Sequence, residues 1–214
     1  MTKTRGRPRD PSRDRAILAA ARSVLACSGY TGSSMEQIAK LAHVGKDTLY
    51  RRWPNKEQLA LDLIDSMARD AVQPAPIDPD PRLNLLLFLK DVVRLYRNTD
   101  FGLLVAGMVG EAARNEDFAQ RFADFWARRR AIAAPLVHDV LMPTATAYDI
   151  ETILDGLFGP IYYRLLLTGT DVTDEYLWDL VMAVPWTADA NQNAWSEGDT
   201  SPNNNGEVIP AVST

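Results

Sequence analysis

The chain has 214 residues, 46 % hydrophobic and 24 % charged, enough for one sizeable core or two small domains. The single cysteine, Cys27, excludes an intrachain disulfide, and neither a signal-peptide core nor an apolar run of the roughly 20 residues needed for a membrane span is present, so a soluble cytoplasmic protein is expected. The net charge of −5 hides an asymmetry: residues 1–56 hold twelve Lys or Arg against four acids, a local +8 that leaves −13 on the rest and points to a polyanion partner at one end.

The chain opens on RGRPR, in which Arg5, Arg7 and Arg9 are spaced two apart by Gly6 and Pro8. Gly and Pro disfavour helix, so residues 1–10 are expected to form a basic flexible arm. Such an arm suits the negative potential of a narrow, A·T-rich minor groove, and the plain alternative is a charged tail giving non-specific attraction. A first helix fits Pro11 to about Ser28, with Asp10 as cap, Pro11 at the first position and Gly29 as the stop. Ile17, Ala20, Ala21, Val24 and Leu25 recur along it at helical spacing.

The next stretch, SSMEQIAKLAHVGKDTLYRRWPNKEQLA, is the most informative. Ser34 with Gln37 makes a capping box, and Ser33 with Glu36 offers another in the adjacent register. Met35, Ile38, Ala39 and Ala42 form the apolar face of a short helix, His43-Val44-Gly45 interrupts it, and Lys46 to Trp53 reads as a second short helix. Asn55 caps a third that ends near Ala71. Two short helices joined by a tight turn are the helix-turn-helix pattern.

Four prolines within VQPAPIDPDP make an extended connector, after which Asp80-Pro81 starts a new helix. Residues 83–96 are apolar almost all round, as in a helix buried on several sides. Further helices fit about 100–114, 117–141, 149–168 and 173–184, with Pro135 and Pro160 expected to kink or interrupt two of them. From Thr187 the chain is rich in Asn, Ser and Gly without apolar periodicity, which reads as a disordered tail. The expected organisation is an arm over 1–10, a helix-turn-helix DNA-binding domain over 11–72, a Pro-rich connector over 73–81, a helical ligand-sensing and dimerisation domain over 82–186, and a tail over 187–214.

Residues 13–61 resemble the tetracycline-repressor (TetR) family of bacterial regulators. The matching elements are the Ser-capped SMEQIAKLA, the recognition segment V-G-K-D-T-L-Y-R-R-W, and P-N-K-E-Q-L opening the next helix. The resemblance implies an all-α, two-domain fold and a regulator, more often a repressor, released from its operator by a small molecule. The family commonly has Gly where this chain has His43, a position that needs positive φ, which His adopts better than most residues. It often has Ser where this chain has Gly45, which caps only slightly worse.

The motif assigns roles on physical grounds. A helix in the major groove offers its N-terminal residues to base edges while neighbouring groups clamp phosphates. Lys46 and Lys56 are phosphate point charges, Tyr50 can donate a hydroxyl, and Ser34 adds a hydroxyl at a helix N-terminus. Arg51 and Arg52 suit phosphate or guanine, and Asp47 and Thr48 face the groove, Asp47 restricted to donors such as cytosine N4. Leu49 and Trp53, four apart, read as core.

In the acidic part, Phe88, Tyr96, Met108, Phe122, Trp126, Tyr162 and Tyr163 are candidates for a small-molecule pocket, and equally for plain core. Arg97, Arg114 and Arg164 suit salt bridges or an anionic effector, and Arg128-Arg129-Arg130 reads as a solvated face. No catalytic triad, zinc spacing or phosphate-binding loop is visible, so neither an enzyme nor a cofactor is expected. The expected partners are a palindromic operator in double-stranded DNA, a second copy of the chain and a small-molecule effector, with no membrane. One recognition helix reads too few base pairs for specificity, hence the homodimer. Its face is expected on the last two helices, where Gly156 and Gly159 allow close approach and Leu157, Leu177, Leu180, Val181 and Val184 supply apolar surface. An architectural DNA-binding protein without an effector is the alternative.

Overall fold

The computed structural model describes residues 11–74, 77–138, 141 and 147–185. Among them every element is helical: α1 (Pro11–Gly32), α2 (Met35–Leu41), α3 (Lys46–Arg52), α4 (Lys56–Ala71), α5 (Pro81–Asn98), α6 (Phe101–Ala112), α7 (Glu116–Ala133), α8 (Pro135–His138), α9 (Ala147–Tyr162) and α10 (Asp174–Met182), with a π-helical segment, Tyr163–Thr168, extending α9. The arginines Arg5, Arg7 and Arg9 and the tail expected over 187–214 lie outside the described residues.

Local chemistry sets the helix ends. Gly29 takes φ 69° and breaks the helical path of α1 where a stop was expected. Asn55, Asp80, Asn115 and Thr173 each accept a backbone N–H from the first turn of the helix they precede. Pro135 divides the single helix expected over 117–141 into α7 and α8, since it lacks the N–H that would continue the ladder. Pro160 sits inside α9, and two residues beyond it the helix ends and widens into the π turn.

One continuous apolar core runs through the molecule. Ile17, Ala21 and Leu25 of α1, Leu59 and Ile64 of α4, Leu85 and Leu89 of α5, Phe101 and Met108 of α6 and Phe125 of α7 all belong to it. α1 packs chiefly against α6. Near this contact the Tyr30 ring also lies 5.6 Å from that of Phe118 on α7. A Cβ placed on Gly107 would meet the Tyr30 Cβ at 3.3 Å, so this crossing uses the small residue.

Four of the apolar residues expected on the dimer face are buried within the single chain. Leu157, Leu177, Val181 and Val184 are at most 6 % exposed in the single chain, where they fill its own core. Gly156 and Gly159, expected on the same face, do lie on the outward side of α9, with nothing within 4 Å of a Cβ at either. Tyr163 and Leu167 continue that exposed side into the π turn. No described helix is long and apolar enough to cross a membrane.

Candidate nucleic-acid interface and internal cavity

The capping box forms as the spacing implies: the Gln37 N–H donates to Ser34 Oγ at 3.2 Å and the Ser34 N–H donates to Gln37 Oε1 at 2.7 Å. The Ser34 hydroxyl thus accepts and keeps its proton free to donate. Ser33 is buried and donates to the Tyr30 carbonyl at 2.8 Å, which settles the register between the two possible boxes. In the turn His43 adopts φ 53°, as the position requires. Gly45 caps α3 without a side-chain bond.

α3 is anchored from below by Leu49, fully buried, and by Trp53, whose Nε1 donates to Asp62 at 2.8 Å. That anchoring turns Lys46, Asp47, Tyr50 and Arg51 to solvent on one surface, with Thr48 half-buried beside them. Glu36 of α2 reaches into this group: its Oε1 accepts from Lys46 Nζ at 3.3 Å and faces the Tyr50 hydroxyl at 3.5 Å. The Glu36 carboxyl is held below its usual range by a backbone hydrogen bond first and by Lys46 next. Sequence reading treated Glu36 only as a possible cap partner. Its tie to α3 spans ten or more residues and has no local signature.

Two expected DNA contacts have other employment. Arg52 forms an ion pair with Asp14 of α1 and its side chain is 14 % exposed, so it binds α3 to α1 rather than projecting outward. Lys56 donates to the carbonyls of Tyr30 at 2.6 Å and Ser33 at 3.1 Å, with its ammonium 4.4 Å from the Tyr30 ring centroid. Arg52, expected at phosphate or guanine, and Lys56, expected at phosphate, thus each spend donors inside the fold.

Between α4, α5, α6, α7 and α9 lies a cavity of about 310 Å³. Phe88, Tyr96, Trp126 and Tyr162 line it as expected. The other three candidates do not. Met108 is buried beside Leu25 and Tyr30, Phe122 stacks between Phe118 and Phe125, and Tyr163 is 56 % exposed. Burial raises the Tyr96 and Tyr162 phenols above the usual tyrosine range, so both are neutral hydrogen-bonding groups.

The arginines divide. Arg97 pairs with Asp171 at 2.8 Å, Arg114 lies 3.7 Å from Glu111, and Arg164 donates to the Asp171 carbonyl while covering the Tyr176 ring. The solvated face expected of Arg128-Arg129-Arg130 holds for Arg128 alone, since Arg129 and Arg130 line the cavity. Arg130 is held by Glu151 and Asp155, whereas Arg129 donates to the Val72 carbonyl at 3.1 Å. Desolvation lowers the Arg129 guanidinium from its ordinary value. Among the described residues no group of three His, Cys, Asp or Glu gathers to hold a metal ion.

An outward helix-turn-helix with cations on its second helix, mounted on an all-helical body, defines the class: a helix-turn-helix DNA-binding protein. Residues 17–63 match the family model described as bacterial regulatory proteins, tetR family, and residues 78–184 match the tetracyclin repressor-like C-terminal domain. The HTH-type transcriptional regulator YdeS of Bacillus subtilis (strain 168) is 32 % identical over 185 residues, 85 % of this chain and 92 % of that protein. The DNA-binding transcriptional repressor TetR of Mycobacteroides abscessus is 46 % identical over 67 residues, covering 30 % of this chain and 35 % of its own. Among solved structures, the TetR family transcription regulator SCO0332 superposes with a TM-score of 0.65 at 28 % identity, covering 80 % of this chain and 95 % of its own. The chain belongs to the TetR family of transcriptional regulators.

Proposed function

We propose that the protein is a cytoplasmic, homodimeric repressor that holds a palindromic operator and releases it when a small molecule fills the internal cavity. The observation carrying this reading is that α4 belongs to both sites. Its first residue, Lys56, ties down the loop entering α2, and its last turn, with Val72, walls the cavity. Each protomer lays α3 in a major groove: Lys46 and Tyr50 meet phosphate, as does the Ser34 hydroxyl, while Asp47, Thr48 and Arg51 face base edges. Residues 1–10 form the arm that carries Arg5, Arg7 and Arg9 into the adjoining minor groove, ahead of a DNA-binding domain over 11–72 and a sensing domain over 82–186.

Footprinting on the DNA flanking the protein's own gene tests this. A protected palindrome with half-site centres about 34–36 Å apart, or a multiple of that, is expected, with binding that falls steeply as salt rises. A chain that stays monomeric at micromolar concentration, or that binds random DNA equally well, refutes it.

A further inference from the structure

The cavity wall is largely apolar, with Tyr96, Tyr162, Arg129 and Arg130 as its hydroxyl-bearing and charged residues. The Tyr96 and Tyr162 rings are 5.4 Å apart, and Arg129 lines the same cavity. The Tyr96 hydroxyl is buried, on a residue 8 % exposed, and its hydrogen-bonding neighbour is the Tyr162 phenol.

Arg129 presents a surplus of donors. A guanidinium carries five N–H donors in a planar fork suited to a carboxylate. Its hydrogen bond among the described residues goes to the neutral Val72 carbonyl. Its neighbour Arg130 already holds two carboxylates, Glu151 and Asp155. The acid whose charge bears most on Arg129 is Asp65, which lies 3.5 Å from Arg69. Arg129 is therefore a half-buried cation on the cavity wall with no carboxylate of its own among the described residues. The volume, about 310 Å³, sits at the low end of the roughly 300–1,000 Å³ range of small-molecule sites. Such a space admits a fused-ring system or a medium-length chain.

We propose that the cavity takes a compact, largely apolar carboxylate whose anionic head binds Arg129 and draws it from the Val72 carbonyl. The inference rests on the effector-release reading above and supplies its ligand class and its trigger. Val72 is the C-cap of α4, its N–H bonded to the Ala68 carbonyl. A neutral ligand gives Arg129 no reason to leave Val72. A carboxylate does, because a charged, bidentate acceptor outcompetes one carbonyl. Occupancy then frees the end of the helix whose other end supports the loop entering α2.

Isothermal titration of the full chain with 2-naphthoate and its uncharged isostere 2-naphthamide tests the ligand class. The carboxylate should bind about tenfold tighter or more, the scale of a charge-assisted hydrogen bond. Arg129→Met should erase that preference and Arg129→Lys should restore part of it. Equal affinities in the unmodified protein, no naphthoate binding at millimolar concentration, or a preference that survives in Arg129→Met would each overturn the assignment. The trigger is tested on footprinted operator DNA: naphthoate should release it, and Arg129→Met should bind it more weakly without any ligand. An Arg129→Met variant that holds the operator as tightly as the unmodified chain overturns the trigger. A protein that protects its operator yet treats the two probes alike keeps the regulator reading and loses only this proposal. One that prefers naphthoate but protects no DNA does the reverse.

Discussion

Lys56→Met removes an ammonium from beneath the loop between α1 and α2 while keeping most of the apolar stem. Two carbonyls, those of Tyr30 and Ser33, lose a charged donor, and the Tyr30 ring loses the cation above it. Hydrogen bonds from charged groups contribute about 1.5–3 kcal/mol each, and partial exposure places this pair of contacts near about 2 kcal/mol together. For a chain of this size about 1 kcal/mol shifts the melting temperature by about 2–4 °C, so Lys56→Met should melt about 4–8 °C lower. Lys46→Ala supplies the contrast. Lys46 lies on the surface, so its loss should leave the melting temperature nearly unchanged while reducing the salt slope of DNA binding by about one unit. Calorimetry on both variants, with operator titrations at several salt concentrations, separates the roles. A Lys56→Met protein that melts like the unmodified chain and loses one unit of salt slope would refute the internal role and return Lys56 to the phosphate contacts.

Glu36→Gln should strengthen operator binding and steepen its salt dependence by about one unit, because it frees Lys46. The Glu36 carboxyl is depressed in the folded protein, so its tie to α3 is present above the ordinary carboxylate range and lost as pH falls. Acidification should therefore favour DNA binding in the unmodified chain more than in Glu36→Gln, measured by anisotropy across that range. His43→Val should cost about 1–2 kcal/mol in urea unfolding, since a β-branched residue resists φ 53°, while His43→Gly should be tolerated. Arg51→Ala should cost about 1–3 kcal/mol at one operator position and relax selectivity there; a uniform loss across positions would assign Arg51 to phosphate. Deleting residues 1–9 should weaken binding most on operators with A·T-rich flanks, and equal losses on G·C-flanked operators would leave the arm a charged tail.

What the sequence made legible was local. Capping oxygens at Ser34, Asn55 and Asp80, the stop at Gly29 and the positive φ at His43 depend on neighbours within four residues, and each appears where the pattern puts it. The partners of Arg52 and Lys56 lie 38 and 26 residues away in the chain, and only tertiary packing brings them together. Periodicity likewise showed that α9 and α10 have apolar faces without showing what covers them. Leu157, Leu177, Val181 and Val184 went to the chain's own core, not to a partner. Arg129 and Arg130 read as solvated because three consecutive cations point round a helix, and the direction of the cavity is not encoded in that run.

The crossing of α1 over α6 bears on whether the DNA-reading part can be exchanged between relatives. Leu25, Tyr30, Leu63 and Ile64 are sealed on their far side by Leu104 and Met108, so a fragment ending at residue 72 would present that apolar seam to water. A chimaera joined at the connector is best served by keeping Gly107, because a Cβ there would meet the Tyr30 Cβ at 3.3 Å and push α1 and α6 slightly apart. Grafting a new reader onto this sensor is thus a problem of refitting a shared core, and the linker is the least of it.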